Sequence, residues 1–278
     1  MGDEQPTTES RLDVRRINTA QFETAKRRWQ TSLVLKGILF LLGVTIALGN
    51  TVWFAPWVMV ALALISESLQ ILSDLAKGDA ESVLRMLDRC RTFGRPISHA
   101  ELRDLVIAAP RHTRMVATGT AADEYFTGSA PPGPRRALEG VLESAWYTRH
   151  LSLAMARVYA ALVGVIVIAS LVMLAAAPRY TSAASPDAVV KAVAAWLTLS
   201  VSLGMIKNVI AYFRMASRCE RTVHSTERLL AVGDVTETEA VRQWYEYQIA
   251  RAGMPLLPEW LWTRMRSRLG EAWRARAE

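Results

Sequence analysis

Val158–Ala177, VYAALVGVIVIASLVMLAAA, runs twenty residues without a charge, Pro, Asn or Gln. A helix rises 1.5 Å per residue, so this length covers the ~30 Å hydrocarbon layer of a bilayer. A core helix of a soluble protein carries a polar stripe, and only Tyr159 and Ser170 interrupt this one. Arg149 and Arg157 stand on one side and Pro178-Arg179-Tyr180 closes the other. The stretch predicts a membrane span.

Three further apolar runs extend the pattern. Ser32–Gly49 follows the basic, Trp-bearing run Lys26-Arg27-Arg28-Trp29, the text of a cytoplasmic membrane interface. Asn50-Thr51 reads as a turn into a shorter run, Val52–Ser66, rich in interfacial aromatics. A re-entrant hairpin is the alternative to a full crossing there. The fourth run is Ala188–Ile206, flanked by Lys191 and Lys207. Nearly all Lys and Arg, six of them before Ser32, fall on one side of these runs, which predicts both termini inside the cell.

The sequence therefore predicts an all-α membrane protein with four spans in two hairpins and long helices reaching into a cytoplasmic helical region. The segments are 1–31 cytoplasmic, 32–66 first hairpin, 67–157 cytoplasmic, 158–206 second hairpin and 207–278 cytoplasmic. The composition fits: 51% hydrophobic residues with 21% charged suits spans alternating with charged segments. A net charge of +7 suits anionic headgroups or a phosphate-bearing ligand, and an inner-side Lys/Arg excess accounts for it equally. The polar first 30 residues lack the apolar core of a cleavable signal peptide.

Outside the spans, Glu67, Gln70, Asp74, Lys77, Glu81 and Asp88 recur at helical spacings and read as the solvated face of a long amphipathic helix. Ser98-His99-Ala100-Glu101 is a capping box, Gly128–Pro134 a loop, and Thr236–Glu239 a second cap. Leu261, Met265, Leu269 and Trp273 recur at four-residue steps and form a docking face.

No catalytic motif, phosphate loop or metal-ligand spacing is present, so no catalytic residue, metal or cofactor is expected. Cys90 and Cys219 suggest neither a zinc site nor a disulfide. Two features carry a non-enzymatic function. Thr198, Ser200, Ser202 and Lys207 give the fourth run a polar face, which either packs helices closely or lines a wet pathway in an oligomer. Arg135, Arg136 and Arg149 precede the third run, and Arg214, Arg218 and Arg221 follow the fourth. A hairpin of those two runs is expected to bring both sets to one depth, a basic vestibule suited to bidentate phosphate contacts or to headgroup anchoring.

The text Tyr247-Gln248-Ile249-Ala250-Arg251-Ala252-Gly253-Met254-Pro255-Leu256-Leu257-Pro258-Glu259-Trp260-Leu261-Trp262, with Arg266-Ser267-Arg268-Leu269 and Trp273 after it, resembles the closing segment of a known family. Pro131–Arg136 and Glu143-Ser144-Ala145-Trp146 resemble the text before that family's third span. The family is the SMODS-associated four-transmembrane pore-forming effectors of bacterial anti-phage defence. The resemblance implies a homo-oligomer, expected as a tetramer, in the bacterial inner membrane. It also implies control by a nucleotide or short oligonucleotide from a partner nucleotidyltransferase, without duplex nucleic acid, and arrest of the infected cell by depolarisation. A non-conducting membrane scaffold that recruits cytosolic partners is the alternative.

Overall fold

The structure, a computed structural model, describes residues 14–47, 54–110, 113, 130–180 and 204–277. Seven helices account for most of these residues: α1 (Val14–Ala47), α2 (Ala55–Phe93), α3 (His99–Ala108), α4 (Pro134–Tyr180), α5 (Met205–Val232), α6 (Glu237–Ala252) and α7 (Glu259–Ala277). The described residues are all-helical, as the sequence predicts.

The expected segment boundaries at 31/32, 66/67 and 157/158 fall inside continuous helices. No Pro, Gly pair or cap occurs at those points, so nothing stops a helix from running out of an apolar segment into a charged one. The four-span count resolves more coarsely. Among the described residues two helices, Trp57–Phe93 and Pro134–Val172, are long and apolar enough to cross a membrane. Only 11% and 28% of their most apolar windows are buried, the reverse of a soluble core helix. The first run begins in α1 and ends outside the described residues, and 188–203 lies outside them altogether.

α1 packs antiparallel on α2 through small polar contacts. Ser73 Oγ donates to the Ala25 carbonyl at 2.8 Å, and the Ser32 and Ser66 hydroxyls lie 3.2 Å apart. Asn18 Nδ2 donates to the Ala80 carbonyl at 2.6 Å. Hydroxyls and amides of this size let two helices approach closely while satisfying each other. α4 packs antiparallel on α5, with Tyr159 stacked on Tyr212 at 5.8 Å and Arg149 paired with Glu220 at 2.6 Å.

The main core belongs to this second hairpin. Trp146, Met155, Tyr212, Met215, Cys219, Trp244 and Tyr247 meet the apolar face of α7, where Leu261 and Leu269 are buried and Trp273 packs at 5.4 Å from Trp146. The spacing predicted for that docking face is the one observed. Cys219 is buried there and desolvation pushes its thiol up to about 12, while Cys90 is also free.

Both predicted caps form. At α3, Ser98 Oγ accepts from the Glu101 N–H at 3.2 Å and Glu101 accepts from the Ser98 N–H at 2.9 Å, with Arg89 on the same carboxylate at 2.6 Å. These donors, the Ser98 backbone first, hold Glu101 down to about 2. Its folded pKa lies below its unfolded one, so its contribution is present above pH ~4.5 and is lost as pH falls toward about 2. Carboxylate NMR is expected to show Glu101 titrating near 2, and Glu101→Gln is expected to erase the stability difference only above that window. A Glu101 that titrates near 4.5 contradicts the capping account.

Candidate functional site: the seam between the two hairpins

The two hairpins meet along one buried polar seam, and the residues that build it sit on α2 and at the end of α6. Lys77, Glu81 and Asp88 lie on one face of α2 because four- and seven-residue steps return to the same side of a helix. Their spacing alone predicts a solvated stripe. The structure corrects that, since all three are 9% exposed or less. The stripe is covered because Arg251 and Gln248 arrive on the opposing helix with matching groups, which the period of α2 alone does not reveal.

Arg251 donates from Nε and Nη2 to one Glu81 oxygen, each at 3.1 Å, and its Nη1 lies 3.7 Å from Asp88. Gln248 Nε2 donates to Asp88 at 2.8 Å. The guanidinium also sits 5.9 Å from the Tyr247 ring centre, and the Tyr247 hydroxyl lies 3.1 Å from that of Thr148. Burial raises the Asp88 carboxyl above the ordinary range, while Glu81 and Asp88 hold Arg251 firmly charged. Burial also raises the Tyr247 phenol. Two carboxylates against one guanidinium, all desolvated, make a cluster that is costly to break.

Lys77 does different work. Its ammonium donates to the Ala252 carbonyl at 2.7 Å and to the Met254 carbonyl. From the other hairpin, the fully buried Tyr212 donates to the Leu256 carbonyl at 2.6 Å. Gly253–Pro258 is thus a connector pinned by both hairpins, and Pro255 and Pro258 in it carry no backbone donor. Burial lowers the Lys77 pKa.

Two clefts flank the connector. One, of about 350 Å³, reaches from Phe22 and Lys26 to Trp262. The larger, of about 530 Å³, is walled by α1, α2, the start of α5 and the connector. Its charged residues are Lys36, Lys77, Lys207, Glu67 and Asp74. Lys36 is buried and paired with Glu67 at 2.9 Å. Lys207 is exposed and makes no hydrogen bond or ion pair among the described residues.

The large cleft reaches into the apolar end of the bundle. Arg28 donates to the Leu72 carbonyl at 3.0 Å, which sets Arg28 and Leu72 at one level. Lys77 and Ser152 both touch Met254, and Tyr159 stacks on Tyr212, which brings Arg157 and Arg214 to the same level. Beyond it, α1, α2 and α4 carry exposed Val34, Leu41, Trp57, Leu64, Val165 and Leu171. Lys36 lies ~12 Å past Arg28 along α1, and Lys207 lies ~10 Å past Arg214 along α5. The backbone at Gly204 is left-handed, φ +60°, and α5 starts from it at Met205, inside the fourth predicted run.

The six arginines expected to share a vestibule do not gather. Arg135 pairs with Glu139 at 3.2 Å at the polar end of α4, and Arg136 donates to the Ala130 carbonyl at 2.5 Å. Arg136 lines a cavity of only about 30 Å³, water-sized rather than nucleotide-sized. Arg149 is neutralised by Glu220. Arg214, Arg218 and Arg221 share an exposed face of α5, with Arg221 on the Ser217 hydroxyl at 3.3 Å. The Arg149–Glu220 pair sets Arg149 level with Arg218 and Arg221, whereas Arg135 lies ~30 Å along the helix pair from the level of Arg214. Of the predicted pathway residues, Lys207 lines the large cleft, and Thr198, Ser200 and Ser202 lie outside the described residues.

Among the described residues no group of three or more His, Cys, Asp or Glu could hold a metal. No protein-family profile, curated relative or solved structure matches the chain.

Proposed function

We propose that the chain is an oligomeric membrane channel, a pore-forming effector of an anti-phage defence system. In this reading the four apolar runs cross the bacterial inner membrane and both termini are cytoplasmic. A nucleotide or oligonucleotide from a partner nucleotidyltransferase opens or blocks the channel, and depolarisation arrests the infected cell. The family resemblance supports the nucleotide and the defence setting.

The observation that carries conduction is the large cleft. Charged groups at membrane depth are expensive and face either a partner or water. Lys36, Glu67 and Lys207 all face one cavity roughly 10 Å past the shared level of Arg28, Leu72, Arg157 and Arg214. That level has the composition of an inner interface, with Trp29 beside the basic residues. A wet cleft entering the inner leaflet, multiplied by ring assembly, supplies a polar route that four helices of one chain cannot enclose.

The test is ion flux from liposomes that hold the purified protein, with and without short and cyclic oligonucleotides. Flux that changes with one ligand is the expected result. No flux under any condition, in a verified oligomer, moves the assignment to the non-conducting scaffold.

A further inference from the structure

The geometry points to the large cleft as a binding site for a singly charged phosphodiester, held by Lys207. The inference rests on the membrane reading above and locates the ligand there rather than at the dispersed arginines.

Charge within the cleft selects the class of ligand. Three lysines face two carboxylates. Lys36 is neutralised by Glu67 at 2.9 Å. Lys77 faces the carboxylates of Glu81 and then Asp74, and spends its donors on the Ala252 and Met254 carbonyls. That leaves Lys207 with one uncompensated positive charge and free donors among the described residues. One ammonium acts as a point charge, which suits a monoanion better than the forked geometry a dianion recruits. A phosphodiester carries one negative charge, whereas a terminal phosphate carries closer to two near neutral pH.

Shape and depth agree with that class. About 530 Å³ is within the range of small-ligand sites. The walls add Trp29 and Leu33, flat and apolar, beside the amides of Gln70 and Asn208. Such a lining accepts what flanks a phosphodiester, a glycerol with acyl chains or a nucleoside. The cleft lies at the inner interface, open to both sources. Its occupant touches α1, α2, α5 and the connector together, so binding bridges the two hairpins and occupies the proposed wet route.

Two probes distinguish the sources: dioleoylphosphatidylglycerol, against phosphatidylcholine, in native mass spectrometry of the full chain, and the dinucleoside phosphodiester ApA in equilibrium binding. At least one probe is expected to bind, and Lys207→Gln is expected to weaken it about tenfold, the scale of one charge-assisted hydrogen bond. Retention of the lipid alone identifies the headgroup as the source, and binding of ApA alone identifies a soluble ligand. Neither probe binding, or Arg214→Gln weakening binding while Lys207→Gln leaves it intact, overturns the site. Circular dichroism and oligomer size of Lys207→Gln, expected to be unchanged, separate lost contact from lost fold. Binding without flux removes the channel and keeps the site; flux without binding does the opposite.

Discussion

Arg251→Met is expected to lower the unfolding free energy by about 3–5 kcal/mol, because it leaves Glu81 and Asp88 buried and uncompensated. Denaturant unfolding in detergent micelles reads the change. The same reasoning predicts partial rescue: replacing all three groups, Arg251→Met with Glu81→Leu and Asp88→Leu, removes the stranded charge and recovers much of the loss. The two carboxylates are not equivalent. Glu81 takes both short guanidinium bonds, whereas Asp88 lies farther from Arg251 and is already disfavoured as an anion by burial. Glu81→Gln therefore costs more than Asp88→Asn, whose amide oxygen still accepts from Gln248. Equal costs, or a mild Arg251→Met, contradict a seam closed by charge.

Lys77→Met tests the connector. It removes two charged donors from the partly buried Ala252 and Met254 carbonyls. A loss of about 2–3 kcal/mol follows from the scale of hydrogen bonds to charged groups. Because Met keeps the apolar stem, the loss concentrates where the donors were. Hydrogen exchange at residues 252–257 is expected to quicken by roughly 30- to 100-fold, while amides of α1 around Ser32 keep their protection. Uniform acceleration across the chain contradicts a local pin.

Much of this architecture was legible because it follows from local rules. Twenty uncharged residues from Val158, the Ser98 and Thr236 caps and the four-residue steps of α7 each determine their own helix or face. Other features depended on what faces what. Lys77, Glu81 and Asp88 have the spacing of a solvated face, and only the arrival of Arg251 and Gln248 from a distant helix turns that face inward. Within one chain the six arginines do not all share one depth, for a geometric reason. Two antiparallel helices set Arg135 far along the pair from the level of Arg214, and Glu139 and Glu220 pair with Arg135 and Arg149. Lys207, read as a pathway residue from the polar face of its run, does line the cleft beside the charge pair of Lys36 and Glu67. No periodicity in either hairpin alone points to that juxtaposition.

The most direct test of the channel is chemical access to position 207. In a background of Cys90→Ser and Cys219→Ala, Lys207→Cys is reconstituted into liposomes and labelled with a charged methanethiosulfonate while ion flux is recorded. A wet route through the cleft predicts labelling from the aqueous phase and a several-fold change in flux, with a positively and a negatively charged reagent shifting cation and anion permeability in opposite directions. Complete labelling without any change in flux contradicts a route through this cleft, and absence of flux before labelling, both with and without the short and cyclic oligonucleotides, contradicts the channel itself.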